Sequence, residues 1–310
     1  MFVHLHGHSQ FSLLEAIGST KAIIARLKEL GFSHAPVQDY AGMYNVVGHF
    51  QTCKKEKMTP IIGVELPIQI VQAPKSLPRP RYMTLIAKNY EGYSTMMRIV
   101  SEAQTRNQSA PHLPISQFPE CNGNILVLVS AHETPLGDLI ATGQSRESFL
   151  ALLKNYEEVF GEGNVVLEVI PQSPSDNKAL ANANHILRDL HVAMPHLPII
   201  ASSSFHYIFA GDKEYRDIAR CIKDGTRVYD DDRRVTEGDF YIMTEDEIRE
   251  HCAANGFSDE QTDVLCDTTV SVAEGIDLVI PLGKLLFPVY ESPAEIVDLY
   301  EKFMEKESNS

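Results

Sequence analysis

The sequence predicts an α/β fold, a seven-stranded β/α barrel with a carboxyl-terminal extension. Two observations support this class. Short apolar runs rich in β-branched residues alternate with segments of helical period, and seven such runs precede residue 210. Repeated β–α units build parallel sheets, and seven of them suggest a closed barrel one strand short of the TIM barrel. An open doubly wound sheet is the alternative.

The elements follow in order. The predicted strands are Phe2–His6, Ala35–Gln38, Pro60–Glu65, Met83–Ala87, Ile125–Val129, Val165–Ile170 and Ile199–Ser202. The predicted helices between them are Thr20–Leu30, Asn89–Gln104, Ser145–Phe160 and Asp176–Leu190. The first of these helices has apolar residues at 23, 24 and 27 and stops before Gly31, a residue typical of helix ends.

Two regions interrupt the alternation. Residues 69–81, QIVQAPKSLPRPR, contain three prolines and predict an excursion or hairpin. Beyond the seventh strand, Gly211–Arg249 predicts one helix and an acidic turn, Leu278–Pro288 an extended segment and Pro293–Glu305 a helix. We therefore divide the chain into a barrel (1–210), closing helices with an extended segment (211–290) and the start of a linker (291–310).

Composition excludes several classes of protein. Mean hydropathy is −0.15, no apolar run is long enough to cross a bilayer, and the first twelve residues lack the regions of a signal peptide. The five cysteines are widely spaced and include no C-x-x-C pair, which argues against a disulfide framework and a cysteine zinc site. We expect a cytoplasmic protein.

The net charge of −15, from 42 acidic and 27 basic residues, argues against a domain that grips nucleic acid by itself. Such a domain needs a basic surface to neutralise phosphates. We therefore expect any contact with DNA to be indirect, through a bound cation or a partner.

The segment VHLHGHS carries three histidines at the end of the first predicted strand. In an extended chain residues two apart point to the same side, so His6 and His8 can aim at one point. Imidazole is a common metal ligand, and barrel enzymes place their chemistry at strand carboxyl ends. The alternative is three unrelated histidines.

Other candidates lie at further strand ends. Glu65 ends a buried apolar strand, where a carboxylate is costly unless it is paired or bound to a metal. Glu15 follows the first strand, although an exposed glutamate at a helix start is also a common solvated cap. His132 and His206 follow the fifth and seventh strands. Alone, each is a packed or surface histidine, and their shared placement is what makes them candidate ligands.

These residues also carry a family resemblance. FVHLHGHSQFSLLEA, PIIGVELPI, LIAKNYEGY and IIASSSFHY resemble successive motifs of the PHP domain (polymerase and histidinol phosphatase type) of bacterial DNA polymerase III alpha subunits. RDIARCIKDGT with RRVTEGDFYIMTEDEI resembles the stretch that closes this domain. PLGKLLFPVYESPAEIVDLYEKF resembles the lead into the polymerase core, which the chain does not include.

The resemblance implies a PHP-type β/α barrel with a multinuclear metal site, which hydrolyses phosphodiesters in some members. The positions that match metal ligands of the family are His6, His8, Glu15, Glu65, His132 and His206. Glu15 stands where aspartate is usual, and His132 where cysteine is usual.

Three matching positions depart from the family pattern. Tyr40 and Tyr82 stand where histidines are usual, and Ser204 stands where an aspartate is usual. Neutral tyrosine and serine are poor ligands for divalent cations, and fewer carboxylates leave less charge to balance several ions. The resemblance thus predicts at most one bound cation (zinc, manganese or magnesium). If the barrel is intact, the two tyrosine rings should pack in the volume of the former metal site.

Two functions follow from the resemblance. The first is a scaffold that joins the rest of the alpha subunit and docks a proofreading exonuclease subunit. The alternative is residual metal-dependent phosphoesterase or 3′–5′ exonuclease activity. A free-standing phosphatase of small substrates is a weaker third hypothesis, because the closing segment resembles the polymerases.

Overall fold

The computed structural model describes residues 1–68, 81–106, 112–283 and 293–308. The chain divides into two compact units, Met1–Val279 and Ile280–Ser310. The first contains the sheet and all candidate site residues. In the second, the described structure includes the helix α10 (Ala294–Ser308), which lies where the sequence predicts a helix. None of the described helices combines the length and the apolar character needed to span a bilayer.

The first unit alternates strands and helices. Its strands are β1 (His34–Val37), β2 (Thr59–Ile68), β3 (Arg81–Ala87), β4 (Ile125–Val129), β5 (Val165–Val169) and β6 (Ile199–Ala201). Its helices are α1 (Thr20–Glu29), α2 (Val46–Glu56), α3 (Tyr90–Arg106), α4 (Pro135–Ala141), α5 (Arg146–Phe160), α6 (Lys178–Ala193), α7 (Lys213–Asp224), α8 (Glu245–Ala254) and α9 (Asp259–Glu274).

The sheet follows chain order, from β1 to β6. This sequential order is that of a curled, barrel-like sheet rather than a doubly wound one, whose order reverses at a switch point. The prediction of parallel strands throughout is wrong for β3, which pairs antiparallel with both β2 and β4. Residues 69–80 of the predicted excursion or hairpin lie outside the described residues, as do residues 284–288 of the predicted extended segment.

The sequence predicts seven strands, but the described residues form six. The predicted first strand, Phe2–His6, is the one that does not form. The Val3 N–H donates to the Thr269 hydroxyl rather than to a neighbouring strand (2.9 Å). Gly7, the residue after this segment, forms an isolated parallel bridge with Phe205. Gly7 also accepts a hydrogen bond from the Gln38 N–H (2.8 Å), so it lies between the segments that follow β1 and β6.

The interior of the sheet explains how the site is built. One apolar cluster draws Ile61 from β2, Leu128 from β4, Val166 from β5 and Ile200 from β6. Because side chains alternate along a strand, Glu65 shares the face of Ile61, and the next inward position after Val166 is residue 168. The carboxylates of β2 and β5 therefore lie in the interior beyond an apolar layer.

Candidate metal site

Three predicted ligands meet in the interior of the sheet. His6, His8 and Glu65 are all buried, and their ligating atoms lie within 4.8 Å of one another. His6 Nε2 is 3.3 Å from one oxygen of Glu65, and His8 Nε2 is 3.6 Å from the other. Neither Nε2 atom has a hydrogen-bond partner. Two buried imidazole nitrogens without partners face one carboxylate, and together they supply three of the ligands that a divalent cation needs.

His6 is oriented by a carboxylate from β5. Its Nδ1 lies 2.8 Å from Glu168 Oε1, and Glu168 is fully buried. Burial alone would lower the pKa of His6, but Glu168 and Glu65 outweigh it and raise that pKa to about 10. Without a cation His6 therefore holds a proton, which a metal bound at Nε2 would have to displace. The arrangement is that of a carboxylate–histidine pair, which fixes a ligand's tautomer and aims Nε2 at the ion.

His8 is oriented through a hydroxyl. Ser12 Oγ donates to Asp39 Oδ1 (2.7 Å) and lies 3.2 Å from His8 Nδ1. Since the serine proton is used on Asp39, the hydroxyl accepts from His8 Nδ1–H and leaves the Nε2 lone pair toward Glu65. Burial, together with the charges of His6 and Arg216, lowers the pKa of His8 well below 6.5, so the ring is neutral, as a ligand must be.

His206 is buried beside this group, but both of its ring nitrogens have partners. Nδ1 lies 2.7 Å from the Ser204 carbonyl, which can only accept a hydrogen bond, so Nδ1 carries the proton. Nε2 is then an acceptor, and the Tyr40 hydroxyl donates to it (3.0 Å). The lone pair that a metal would need is therefore occupied by a tyrosine proton.

The two tyrosines lie inside the site, where the sequence predicts that their rings pack. The Tyr40 ring stacks on His8 at 4.5 Å between centroids, and the Tyr82 ring packs against Tyr40 at 4.7 Å. Burial and the charge of Glu65 raise the pKa of both hydroxyls above the usual value, so both are neutral. Neutral phenols contribute no negative charge to balance a second cation.

Glu15 lies outside the three-residue group and is bound to cations of the chain. One oxygen accepts from Lys223 (2.8 Å), and the other accepts from Arg220 (3.0 Å). Arg234 donates to both oxygens. Burial would raise the pKa of Glu15, but the Lys223 hydrogen bond and the arginine charges lower it to about 2. This carboxylate is already neutralised without a metal.

His132 is also outside the group. Its ring lies 5.4 Å from the Phe240 ring, and burial lowers its pKa. The predicted ligands thus divide into two sets. The structure brings together His6, His8 and Glu65, and it engages Glu15, His132 and His206 with other protein groups. The orphaned Nε2 atoms and the Glu65 carboxylate fit one divalent cation, and they would supply its protein ligands.

A scan against protein families matches the PHP domain to residues 4–172. This chain belongs to the PHP domain family. Among curated proteins, DNA polymerase III subunit alpha of Helicobacter pylori is 26% identical over 282 residues, covering 87% of this chain and 23% of that protein. The alpha subunit of Treponema pallidum is 27% identical over 302 residues, covering 95% of this chain and 25% of that protein. The family resemblance is therefore confirmed, and the chain spans about a quarter of these relatives' length.

Among solved structures, an amidohydrolase from Chromobacterium violaceum with bound sulfate and no metal superposes with a TM-score of 0.43 and 12% identity. The superposition covers 67% of this chain and 88% of the amidohydrolase.

Glu168 belongs to the site, although it is not among the residues predicted from the sequence. It interrupts the run VVLEV, which is buried at every position of β5. Like Glu65, Glu168 is a carboxylate inside an apolar strand, where it is costly unless it is paired or bound to a metal. Its Oε2 is buried without a hydrogen-bond partner, which marks a further polar atom beside the site.

Proposed function

We propose that this chain is the PHP module of a replicative DNA polymerase III alpha subunit, and that it acts mainly as a structural scaffold and docking module. Its site would hold at most one divalent cation, and its partners would be the rest of the alpha subunit and a proofreading exonuclease subunit. The contact between Tyr40 and His206 carries this proposal, because it occupies a ligand atom that a second cation would need.

Charge supports the same proposal. Phosphodiester hydrolysis with two metals requires both ions to be held a few ångströms apart by enough anionic ligands. Near the ligand group, Glu65 faces both Nε2 atoms, and Glu168 is held by the other nitrogen of His6. Glu15 is bound to three cations of the chain. Asp39 accepts hydrogen bonds from Ser9 and Ser12, so it stabilises the loop around His8.

The second candidate function is residual metal-dependent phosphoesterase or 3′–5′ exonuclease activity. The orphaned Nε2 atoms of His6 and His8 favour it. A cation bound there would act as a Lewis acid and lower the pKa of a bound water. The protein's own residues would position it: Glu168 orients His6, and Ser12 orients His8.

Two assays on the purified chain separate the candidates. Single-stranded DNA with manganese or zinc tests hydrolysis, with His8→Ala as the control. We expect no cleavage above that of His8→Ala, and cleavage abolished by His8→Ala would favour the enzyme. Size-exclusion chromatography at micromolar concentration with the exonuclease subunit of the same organism tests docking. We expect co-elution for both proteins, and separate elution of both would contradict the scaffold.

A further inference from the structure

A cavity of about 320 Å³ lies beside the candidate metal site. It is lined by α7 and by the loop between α7 and α8, together with His132 from the end of β4. The loop and the helix contribute four arginines to its wall: Arg216, Arg220, Arg233 and Arg234. This concentration of guanidinium groups contrasts with the chain's net charge of −15.

Arg216 is a buried cation without a carboxylate. It is 2% exposed, and among the described residues it forms no ion pair. Its Nε donates to the Glu15 carbonyl (2.8 Å), Nη1 is 3.5 Å from the Thr236 hydroxyl, and the guanidinium lies 5.4 Å from the centre of the Phe240 ring. The charges of Glu15 and Glu133 act on Arg216 from beyond hydrogen-bonding distance. A buried charge is costly unless it is paired at close range, so an anion in the cavity would supply the direct partner that this guanidinium lacks.

Arg233 also has a guanidinium donor without a partner. Its Nη1 is buried without a hydrogen-bond partner. The carboxylate oxygen that faces it, Asp217 Oδ2, is 3.9 Å away, and the other oxygen of Asp217 accepts from the N–H and hydroxyl of Thr236. A buried N–H without an acceptor is costly, and an entering acceptor would remove that cost.

The other basic residues at the cavity are paired with carboxylates. Glu15 alone pairs with Arg220, Lys223 and Arg234, and Asp224 pairs with Arg234. Glu133 lies in the wall, and the acidic residues Asp232 and Glu237 are exposed at its rim. Arg216 and Arg233 thus remain the cations of the wall that are not held by a carboxylate in hydrogen-bonding contact.

The cavity and the ligand group share Phe240. His132 and Arg216 contact this ring from the cavity side, and the His206 ring packs against it edge-on at 5.8 Å. A ligand in the cavity would therefore lie next to the histidine cluster while contacting none of the three candidate metal ligands, which do not line the cavity.

We propose that this cavity binds a phosphate group, with Arg216 and Arg233 as its principal donors. The planar guanidinium fork matches the spacing of phosphate oxygens and donates two parallel hydrogen bonds. The volume exceeds that of a phosphate alone and is in the range of small-ligand sites, so both inorganic phosphate and the phosphate of a nucleoside monophosphate fit. The site is distinct from the metal site, and its occupancy does not depend on the proposed scaffold role.

Isothermal titration calorimetry of the full chain tests the proposal. Inorganic phosphate and dAMP are titrated separately, at matched ionic strength with sodium chloride, in the presence of EDTA. We expect saturable binding that Arg233→Met and Arg216→Lys each weaken about tenfold or more, since a charge-assisted guanidinium hydrogen bond is lost in each. Arg216→Lys keeps the buried charge, so it guards against a variant that merely unfolds. Tighter binding of dAMP than of phosphate would identify the nucleotide as the ligand, and equal binding the free anion.

The control is Arg249→Met, which removes an arginine of α8 that pairs with Glu245 and Asp263 outside the cavity. It should bind like the wild type. The proposal is overturned if the wild type shows no saturable binding, if neither cavity variant weakens binding, if Arg249→Met weakens it equally, or if His8→Ala abolishes it. The last result would assign the anion to the metal site, and it would leave the scaffold proposal to its own assays.

Discussion

The Tyr40 hydroxyl donates a hydrogen bond to His206 Nε2, and the two atoms lie 3.0 Å apart. The tautomer of His206 makes this contact decisive. Its Nδ1 proton is directed at the Ser204 carbonyl, so Nε2 presents a lone pair, and Tyr40 covers that lone pair. The Tyr40 ring also stacks on His8, so one side chain contacts two histidines of the site.

Restoring the family's usual residues should restore metal capacity. We expect the triple variant Tyr40→His, Tyr82→His and Ser204→Asp to bind at least one more equivalent of zinc or manganese than the wild type. The change supplies two imidazoles and one carboxylate, the ligands that these cations prefer. Elemental mass spectrometry after dialysis measures it. Tyr40→Phe is the control, because it frees His206 Nε2 without adding a ligand. Unchanged metal content in the triple variant would refute this explanation.

Glu168→Gln should weaken metal binding about 10–100-fold, the usual effect of removing a carboxylate that orients a ligating histidine. A chelator competition titration with zinc measures the dissociation constant. The matched control is Glu157→Gln, since Glu157 also lies 2.8 Å from a histidine nitrogen, that of the exposed His196. Wild-type affinity in Glu168→Gln would mean that His6 needs no partner to hold its orientation.

The acid dependence of stability should reflect Glu15. Its carboxyl pKa of about 2 in the folded state lies below the ordinary 4.5, so its stabilisation is present above pH 4.5 and is lost as the pH falls toward 2. The shift corresponds to roughly 3 kcal/mol. Urea unfolding of wild type and Glu15→Gln should therefore differ by about this amount at pH 7 and converge near pH 2. A difference that is independent of pH would show that the ion pairs are not its source.

Gly7→Ala should destabilise the protein by about 1–3 kcal/mol or more, because overpacking a closed core forces neighbours to move. A Cβ at this position would collide with the ring of Phe205, which is 1% exposed. Thermal and urea unfolding measure the loss. Gly211→Ala is the control, since its added methyl would meet no atom within 4 Å. Equal stability of the two variants would contradict the tight packing between His6 and His8.

The hydrophobic pattern of the sequence predicts the positions of most strands but not their directions. Alternating apolar runs identified β1 to β6, because burial on one or both faces of a strand leaves a clear signature. The same runs carry no direction, so the antiparallel pairing of β3 could not be foreseen. The first segment has a strand-like composition, but its Val3 N–H bonds to a threonine of α9, a long-range contact that no local pattern reveals.

The site was predictable to a similar degree. His6, His8 and Glu65 share short segments or strand ends, and they do converge. Glu15 is neutralised by three cations that lie more than 200 positions away in the chain. The sequence alone could not indicate these ion pairs. Glu168 could have been predicted as a site residue, because it lies in a buried apolar strand where a carboxylate needs a partner.

The metal content of the purified chain tests the central claim most directly. Elemental mass spectrometry is performed without added metal and again after dialysis against zinc or manganese, with His8→Ala as the control. A single-cation site predicts no more than one equivalent per chain, lost in His8→Ala. Two or more equivalents in the wild type would contradict the account, because they would require Tyr40 to yield His206 to a second ion.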